Sequence, residues 1–353
     1  MHVFVLVALF LSAPPVTKTY ASHKANLFAR EVSPDGSCGG TTGYICPDTE
    51  PCCSKHGYCG NTNEYCGIDC QPAFGTCPAT STGTVNIPRL HIGQVPYGEV
   101  IDSCAHSGDI ALTFDDGPYL YTSDLLDLLA RYGVKATFFV VGNNGNGVID
   151  EFAAWKSAIQ RMDSEGHQVG SHTWNHPDLT TLSSAQSRDQ MYQTEQAFAN
   201  ILGKVPTYMR PPYLSFDTAC AVDMFDLGYH AISTNLDTKD FANDDPALIQ
   251  NSKDIFNNYV TQNSPSSTSF VVLNHDIHYQ TVYTLAEYEI QRLQTAGYRP
   301  VTVGECLGDP EGNWYRSASG VTTAVLTEPF ASLPVSPPTN VCTYVRNLRH
   351  LRW

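Results

Sequence analysis

From about residue 95 onward the chain repeats one hydropathic unit: a short apolar run, a polar turn, then an amphipathic stretch. The apolar runs are "IALTF", "KATFFVV", "HQVGS", "TYMR", "YHAIS", "SFVVLN" and "RPVTV", each of a length that suits a buried strand. Between them lie segments with helical spacing. The clearest are "TSDLLDLLARYG", with Thr122 or Ser123 as the expected N-cap, "SSAQSRDQMYQTEQAFANILG" and "TVYTLAEYEIQRLQTAG". Each ends on a glycine (Gly133, Gly203, Gly297), the residue that stops helices most readily. Seven strands alternating with six helices predict a parallel α/β sheet, either open or closed into a barrel.

Upstream the pattern is different. Val3 to Ala13 is an apolar stretch of secretory length, too short to span a bilayer, followed by small residues around Thr19, Ala21 and Ser22. Residues 1–21 therefore read as a signal peptide, although no Lys or Arg precedes the apolar stretch. Eight of the twelve cysteines then fall between Cys38 and Cys77. A segment of that size cannot build a sufficient apolar core, and an even cysteine count in a secreted chain implies four disulfides. Zinc is the weaker reading, because oxidising compartments favour disulfides and the segment holds a single histidine. Sequence alone leaves about 105 connectivities open for eight cysteines.

The resulting division is a disulfide-rich domain at 35–77, a Pro/Thr/Gly-rich linker at 78–94 containing "PATSTGTVNIPRL", a large domain at 95–315 and a tail at 316–353. The tail ends in the basic "VRNLRHLRW" and lacks the apolar end of a lipid-anchor signal. A formal net charge of −15 argues against nucleic acid or an anionic membrane surface as the partner. Secretion into solution or a cell wall is expected, with the protein acting as a monomer.

Polar residues gather at the carboxyl ends of the predicted strands. Asp115 and Asp116 follow the first, His172 the third, Arg210 the fourth, Asp237 and Asp240 the fifth, and His275 the sixth. Barrels and open α/β sheets both build their sites on that face. "SHTWNHPDL" places His172 and His176 four residues apart, on one face of a helical turn that Pro177 ends. Two imidazoles and one carboxylate make a three-ligand site of the catalytic-zinc type. One aspartate of the adjacent pair then binds metal, and the other accepts a proton from activated water. If the leaving group is an amine, His275 is the available acid.

Two resemblances sharpen this reading. Cys38, Cys46, Cys52, Cys53, Cys59, Cys66, Cys70 and Cys77, with "CCSKHGYCGNTNEYC" in the middle, resemble a hevein-type chitin-binding module. That resemblance implies disulfides Cys38–Cys53, Cys46–Cys59, Cys52–Cys66 and Cys70–Cys77. It also implies that Ser54, His56, Tyr58 and Tyr65 grip N-acetylglucosamine, with His56 standing where the family often has Trp. "TFDDGP", "SHTWNHP", "RPPY", "NLDTKDF" and "VVLNHD" occur in the order of the five motifs of the family 4 carbohydrate esterases, which share the NodB homology domain. The fold so implied is a distorted (β/α) barrel.

In that family's terms Asp115 is the general base, and Asp116, His172 and His176 hold a divalent metal, expected to be Zn2+ with Co2+ able to substitute. Arg210 holds Asp115 ionised, and the Tyr213 backbone amide stabilises the oxyanion. Asp240 orients the acid His275, Leu273 lines the acetyl pocket, and Phe241 stands where Trp is usual. Cys104 and Cys306 are expected to clasp the ends of the domain. Together the resemblances imply N-deacetylation of chitin to chitosan with release of acetate. Deacetylation of peptidoglycan or xylan, or chitin binding without catalysis, are the alternatives.

Overall fold

The computed structural model of the chain describes residues 31–54, 56–61, 65, 70–71, 73–75 and 83–318. The expected signal peptide, Cys66, Cys77, the linker up to residue 82 and the tail from residue 319, with Cys342, lie outside the described residues.

In the small domain, β1 (Cys52–Cys53) and β2 (Cys59–Gly60) pair antiparallel. Disulfides join Cys38 to Cys53 and Cys46 to Cys59, across separations of 15 and 13 residues. Half-cystines form the buried cluster, with Phe74 packed against it. Cross-links of that span stabilise by about 3 kcal/mol each on chain-entropy grounds, which is how so small a unit holds together.

The large domain is built on β3 (Val100–Ile101), β4 (Asp109–Asp115), β5 (Thr137–Val140), β6 (Gln168–Ser171), β7 (Lys204–Pro206), β8 (Tyr208–Met209), β9 (His230–Ile232), β10 (Leu236–Asp237), β11 (Phe270–His275), β12 (Arg299–Val301) and β13 (Tyr315–Ser317). Nine of these strands form one sheet in the order β10-β11-β4-β5-β6-β8-β9-β3, with β12 against the start of β4. All its pairings are parallel. The end strands β10 and β3 do not pair with each other, so the sheet curls without closing. It is a distorted, open (β/α) barrel.

Six helices cover the outside: α1 (Thr122–Tyr132), α2 (Ala153–Ser164), α3 (Ser184–Leu202), α4 (Thr218–Leu227), α5 (Ile249–Gln262) and α6 (Ala286–Ala296). Strand alternation decides what faces where. Ile110, Leu112 and Phe114 of β4 pack outward against Leu125, Leu126 and Leu129 of α1, while Ala111 packs inward with Phe139, Tyr208 and Val271. Thr113 and Asp115 share the inward face with Ala111.

A capping box of Ser183 and Gln186 opens α3. The start of α1 corrects the expectation of a Thr122 or Ser123 cap: its N-cap is Tyr121, with no side-chain cap. Thr122 is fully buried, and its hydroxyl accepts from the Tyr119 amide at 2.8 Å and donates to Asp276. Tertiary partners have claimed the group that sequence assigned to a local cap.

Two boundaries also differ. Thr84 and Ile87 are buried, and Arg89 pairs with the buried Glu195 of α3, so the large domain begins by residue 83 and not at 95. Its other end runs past 315, because β13 pairs with β7 and the Arg316 side chain is buried against Tyr229. A disulfide from Cys104 to Cys306 links positions 202 residues apart. Among the described residues no helix is long and apolar enough to cross a membrane.

Candidate active site

The carboxyl ends of β4, β6, β8, β10 and β11 converge on a cavity of about 480 Å³. Asp115, Asp116, His172, His176, Tyr213, Phe241, Leu273 and His275 all line it. Backbone strain concentrates here. Six non-glycine residues among those described have positive φ: Asp116 (74°), Thr173 (70°), His176 (59°), Tyr213 (58°), Leu214 (56°) and Lys239 (57°). Five line the cavity and the sixth adjoins His172. Left-handed geometry costs roughly 1–2 kcal/mol per residue, so its confinement to one cleft marks a site that folding stability elsewhere sustains.

The strain also corrects the expected helical turn between the two histidines. Beyond β6 the chain bends through left-handed Thr173 and His176 in a strap without helical hydrogen bonding. The strap still brings the rings together, 4.9 Å apart and edge-on. Asp116 Oδ1 lies 3.4 Å from His172 Nε2 and 3.2 Å from His176 Nε2. All three donor atoms fall within 4.8 Å of one another. Asp116 Oδ1 is buried with no hydrogen-bond donor of its own, and His172 Nδ1 is bonded to the Arg210 carbonyl at 2.7 Å, which frees Nε2. Burial opposes ionisation of Asp116, but the two imidazoles outweigh it and hold the carboxyl well below the usual range. An orphaned carboxylate oxygen beside two oriented imidazoles fits a divalent metal.

Asp115 points the other way. Its Oδ1 accepts from Arg210 Nη1 at 2.8 Å, and its Oδ2 lies 3.8 Å from His172 Nε2. Arg210 is completely buried, and its guanidinium makes four hydrogen bonds: besides Asp115 it donates to Thr113 Oγ1 (2.5 Å) and to the carbonyls of Ile232 (3.2 Å) and Ser233 (2.9 Å). Its plane lies over the Phe139 ring at 4.4 Å. Burial pulls the guanidinium down from its ordinary value and the Asp115 charge acts against that.

On the opposite wall His275 Nδ1 meets Asp240 Oδ1 at 2.7 Å, leaving Nε2 for the cleft. Asp240 is fully buried and fixed by the His275 amide (2.6 Å), the Phe241 amide (2.9 Å) and the Thr281 hydroxyl (2.8 Å). Burial disfavours the imidazolium, yet Asp240, with help from Asp115 and Asp116, pushes His275 up to about 9. Phe241 is half exposed and meets His275 edge-on at 5.7 Å, so it stands on the rim rather than in the core. Asp237 is a rim residue paired with Lys239 at 2.6 Å.

Sequence reasoning missed two residues. Thr113 lies two positions before Asp115 on the same strand face, and that spacing was the available signal. Asp276 follows His275, is fully buried beneath the site and is pushed up to about 7 by burial, against the bond from Thr122. It explains Gly117: a Cβ there would lie 2.3 Å from the Asp276 carboxylate oxygens.

In the small domain, Tyr58 is 58% exposed and His56 is exposed, while Tyr65 packs on Gly60, where a Cβ would lie 2.2 Å from its ring. Ser54 is buried and its hydroxyl accepts from the Tyr58 amide at 3.2 Å.

Comparison with known proteins follows this division. A polysaccharide deacetylase family model matches residues 102–232, and a chitin recognition protein model matches residues 33–77. The chain is 48% identical over 239 residues to a chitin deacetylase of Colletotrichum lindemuthianum, spanning 68% of this chain and 95% of that protein. It is 49% identical over 224 residues to a chitin deacetylase of a Pestalotiopsis species, spanning 64% of this chain and 72% of that protein. The solved structure of the Colletotrichum lindemuthianum chitin deacetylase superposes with a TM-score of 0.61 at 49% identity, covering 63% of this chain and 97% of that one. With nearly the whole of one relative spanned and its fold shared, the chain belongs to the polysaccharide deacetylase family and carries a chitin-recognition domain beside its barrel.

Proposed function

We propose that this protein is a secreted, monomeric, metal-dependent deacetylase of chitin, freeing acetate from N-acetylglucosamine units and leaving glucosamine. The observation that carries this reading is the division of labour between neighbouring carboxylates. Asp116 faces two imidazoles, and Asp115 faces a buried guanidinium. Asp116, His172 and His176 hold the ion, with zinc the best match to this donor set and cobalt able to replace it. When bound there, a divalent cation supplies Lewis acidity, activating water and polarising the amide carbonyl.

The chain's own groups perform the remaining tasks. Asp115, kept in place by Arg210, takes the proton from the attacking water. The Tyr213 backbone amide donates to the oxyanion that develops on the carbonyl, and Leu273 receives the acetyl methyl group. His275, charged through Asp240, gives its proton to the departing amine. Tyr58 and Tyr65, with Ser54 and His56, hold the chain of sugars on the small domain, which raises local concentration on an insoluble polymer.

The test pairs acetate release from a soluble N-acetylglucosamine tetramer with retention on chitin powder. Tyr58→Ala together with Tyr65→Ala should lower retention about tenfold or more and leave tetramer turnover within twofold. Because the folded protein raises the His275 pKa, the acid is charged below about 9, and tetramer turnover should fall as pH rises through that value. No acetate from the tetramer, or greater turnover of acetylated xylan oligomers, overturns the reading.

A further inference from the structure

A second cavity, of about 550 Å³, adjoins the first, and Asp116 and His176 line both. Its lining also includes Tyr119 and Ile277. An occupant of the active cleft that continues past the Asp116–His176 pair is therefore led towards Tyr119. From there aromatic rings are contiguous across the surface. Tyr119 meets Tyr121 edge-on at 5.4 Å, and Tyr121 meets Tyr279 at 5.6 Å and Tyr283 at 5.7 Å. Tyr279 and Tyr283 lie 4.5 Å apart and are 50% and 43% exposed.

We propose that Tyr119, Tyr121, Tyr279 and Tyr283 form a glycan-binding strip that carries the substrate chain beyond the unit being deacetylated. The proposal rests on the reading that an N-acetylglucosamine polymer is the substrate. Tyr119 and Tyr121 are half-buried and Tyr279 and Tyr283 exposed, and an exposed aromatic patch that continues from a cleft is a recognition surface more often than a packing remnant. Tyrosines suit a neutral sugar chain: the flat ring covers the C–H face of a pyranose, the hydroxyl reaches its rim, and few rotors are lost.

The strip is also built. Thr281–Leu285 is a π-helical turn, a rare geometry that recurs at functional sites, and it carries Tyr283. The Tyr283 hydroxyl donates to Asp124 of α1, which ties the turn to the helix beside Tyr121. Thr281 of the same turn donates to Asp240, the partner of His275. One segment thus positions both an outer ring and the acid, and continuity with the cleft selects the same glycan as the occupant.

The experiment compares acetate release from the N-acetylglucosamine hexamer and dimer, using the full chain with both its domains. In Tyr279→Ala/Tyr283→Ala, hexamer kcat/KM should fall about tenfold, through KM, while dimer kcat/KM stays within twofold. Tyr279→Leu/Tyr283→Leu, which keeps apolar bulk, should show the same selective loss, and Tyr279→Phe/Tyr283→Phe should retain the hexamer rate within about threefold. Equal losses on hexamer and dimer, or an unchanged length preference, would overturn the strip alone. A native chain that releases acetate from neither oligomer would overturn the substrate reading and the strip with it.

Discussion

Asp115→Asn should keep its divalent ion and lose about 10²- to 10⁴-fold in turnover, the usual contribution of a general base, whereas His172→Ala should lose ion and turnover together. The separation follows from geometry. Asp116 Oδ1 is the oxygen close to both Nε2 atoms, so converting Asp115 to an amide removes a proton acceptor and leaves the three donor atoms intact. His172 supplies one donor, and its ring is pinned through Nδ1 to the Arg210 carbonyl, so its loss also loosens the strap towards His176. Elemental analysis of the dialysed proteins alongside acetate release separates the two roles. An Asp115→Asn protein without bound ion, or one with near-normal rate, would show that the division is wrong.

Arg210→Leu should destabilise the fold by about 3–5 kcal/mol, read as a shifted urea midpoint at unchanged slope. The substitution strips Asp115 of its cation in a fully buried setting, removes the bond that the Thr113 hydroxyl accepts and leaves the Ile232 and Ser233 carbonyls without their guanidinium donor. Lysine should not rescue it, since one ammonium cannot span four acceptors placed around a planar fork. Adding Asp115→Asn to Arg210→Leu should recover part of the loss, because the buried charge is then gone. A loss below about 1 kcal/mol would place Arg210 outside the group of residues on which the core depends.

How much of this was legible before any coordinates depends on what each feature rests on. Apolar runs located seven of the nine strands of the large sheet, because burial on both faces leaves short unbroken stretches such as "SFVVLN"; the two-residue strands β3 and β10 fall outside those runs. Strand ends then located Asp115, His172, Arg210 and His275. Whether the barrel closed was not legible, since closure depends on whether β10 meets β3 across residues with no shared sequence signal. The strap holding His176 read as helical because i,i+4 spacing is a helix signature; the left-handed Thr173 and His176 have none in their residue types. Thr122 read as a cap because serine and threonine so often serve there, and the claim of Asp276 on it comes from 154 residues away. The linker boundary failed for the same reason: Arg89 looks solvated until Glu195 is placed beneath it.

One measurement bears most directly on the proposed chemistry: acetate and free amine counted together from the soluble tetramer, on protein stripped of divalent ions and then reloaded with zinc. The stripped protein should release neither. Reloading to one equivalent per chain should restore acetate and amine in a one-to-one ratio, with no further gain beyond that point. Full turnover by the stripped protein, or acetate without matching amine, would contradict a single ion held by Asp116, His172 and His176 and an amide as the bond that breaks.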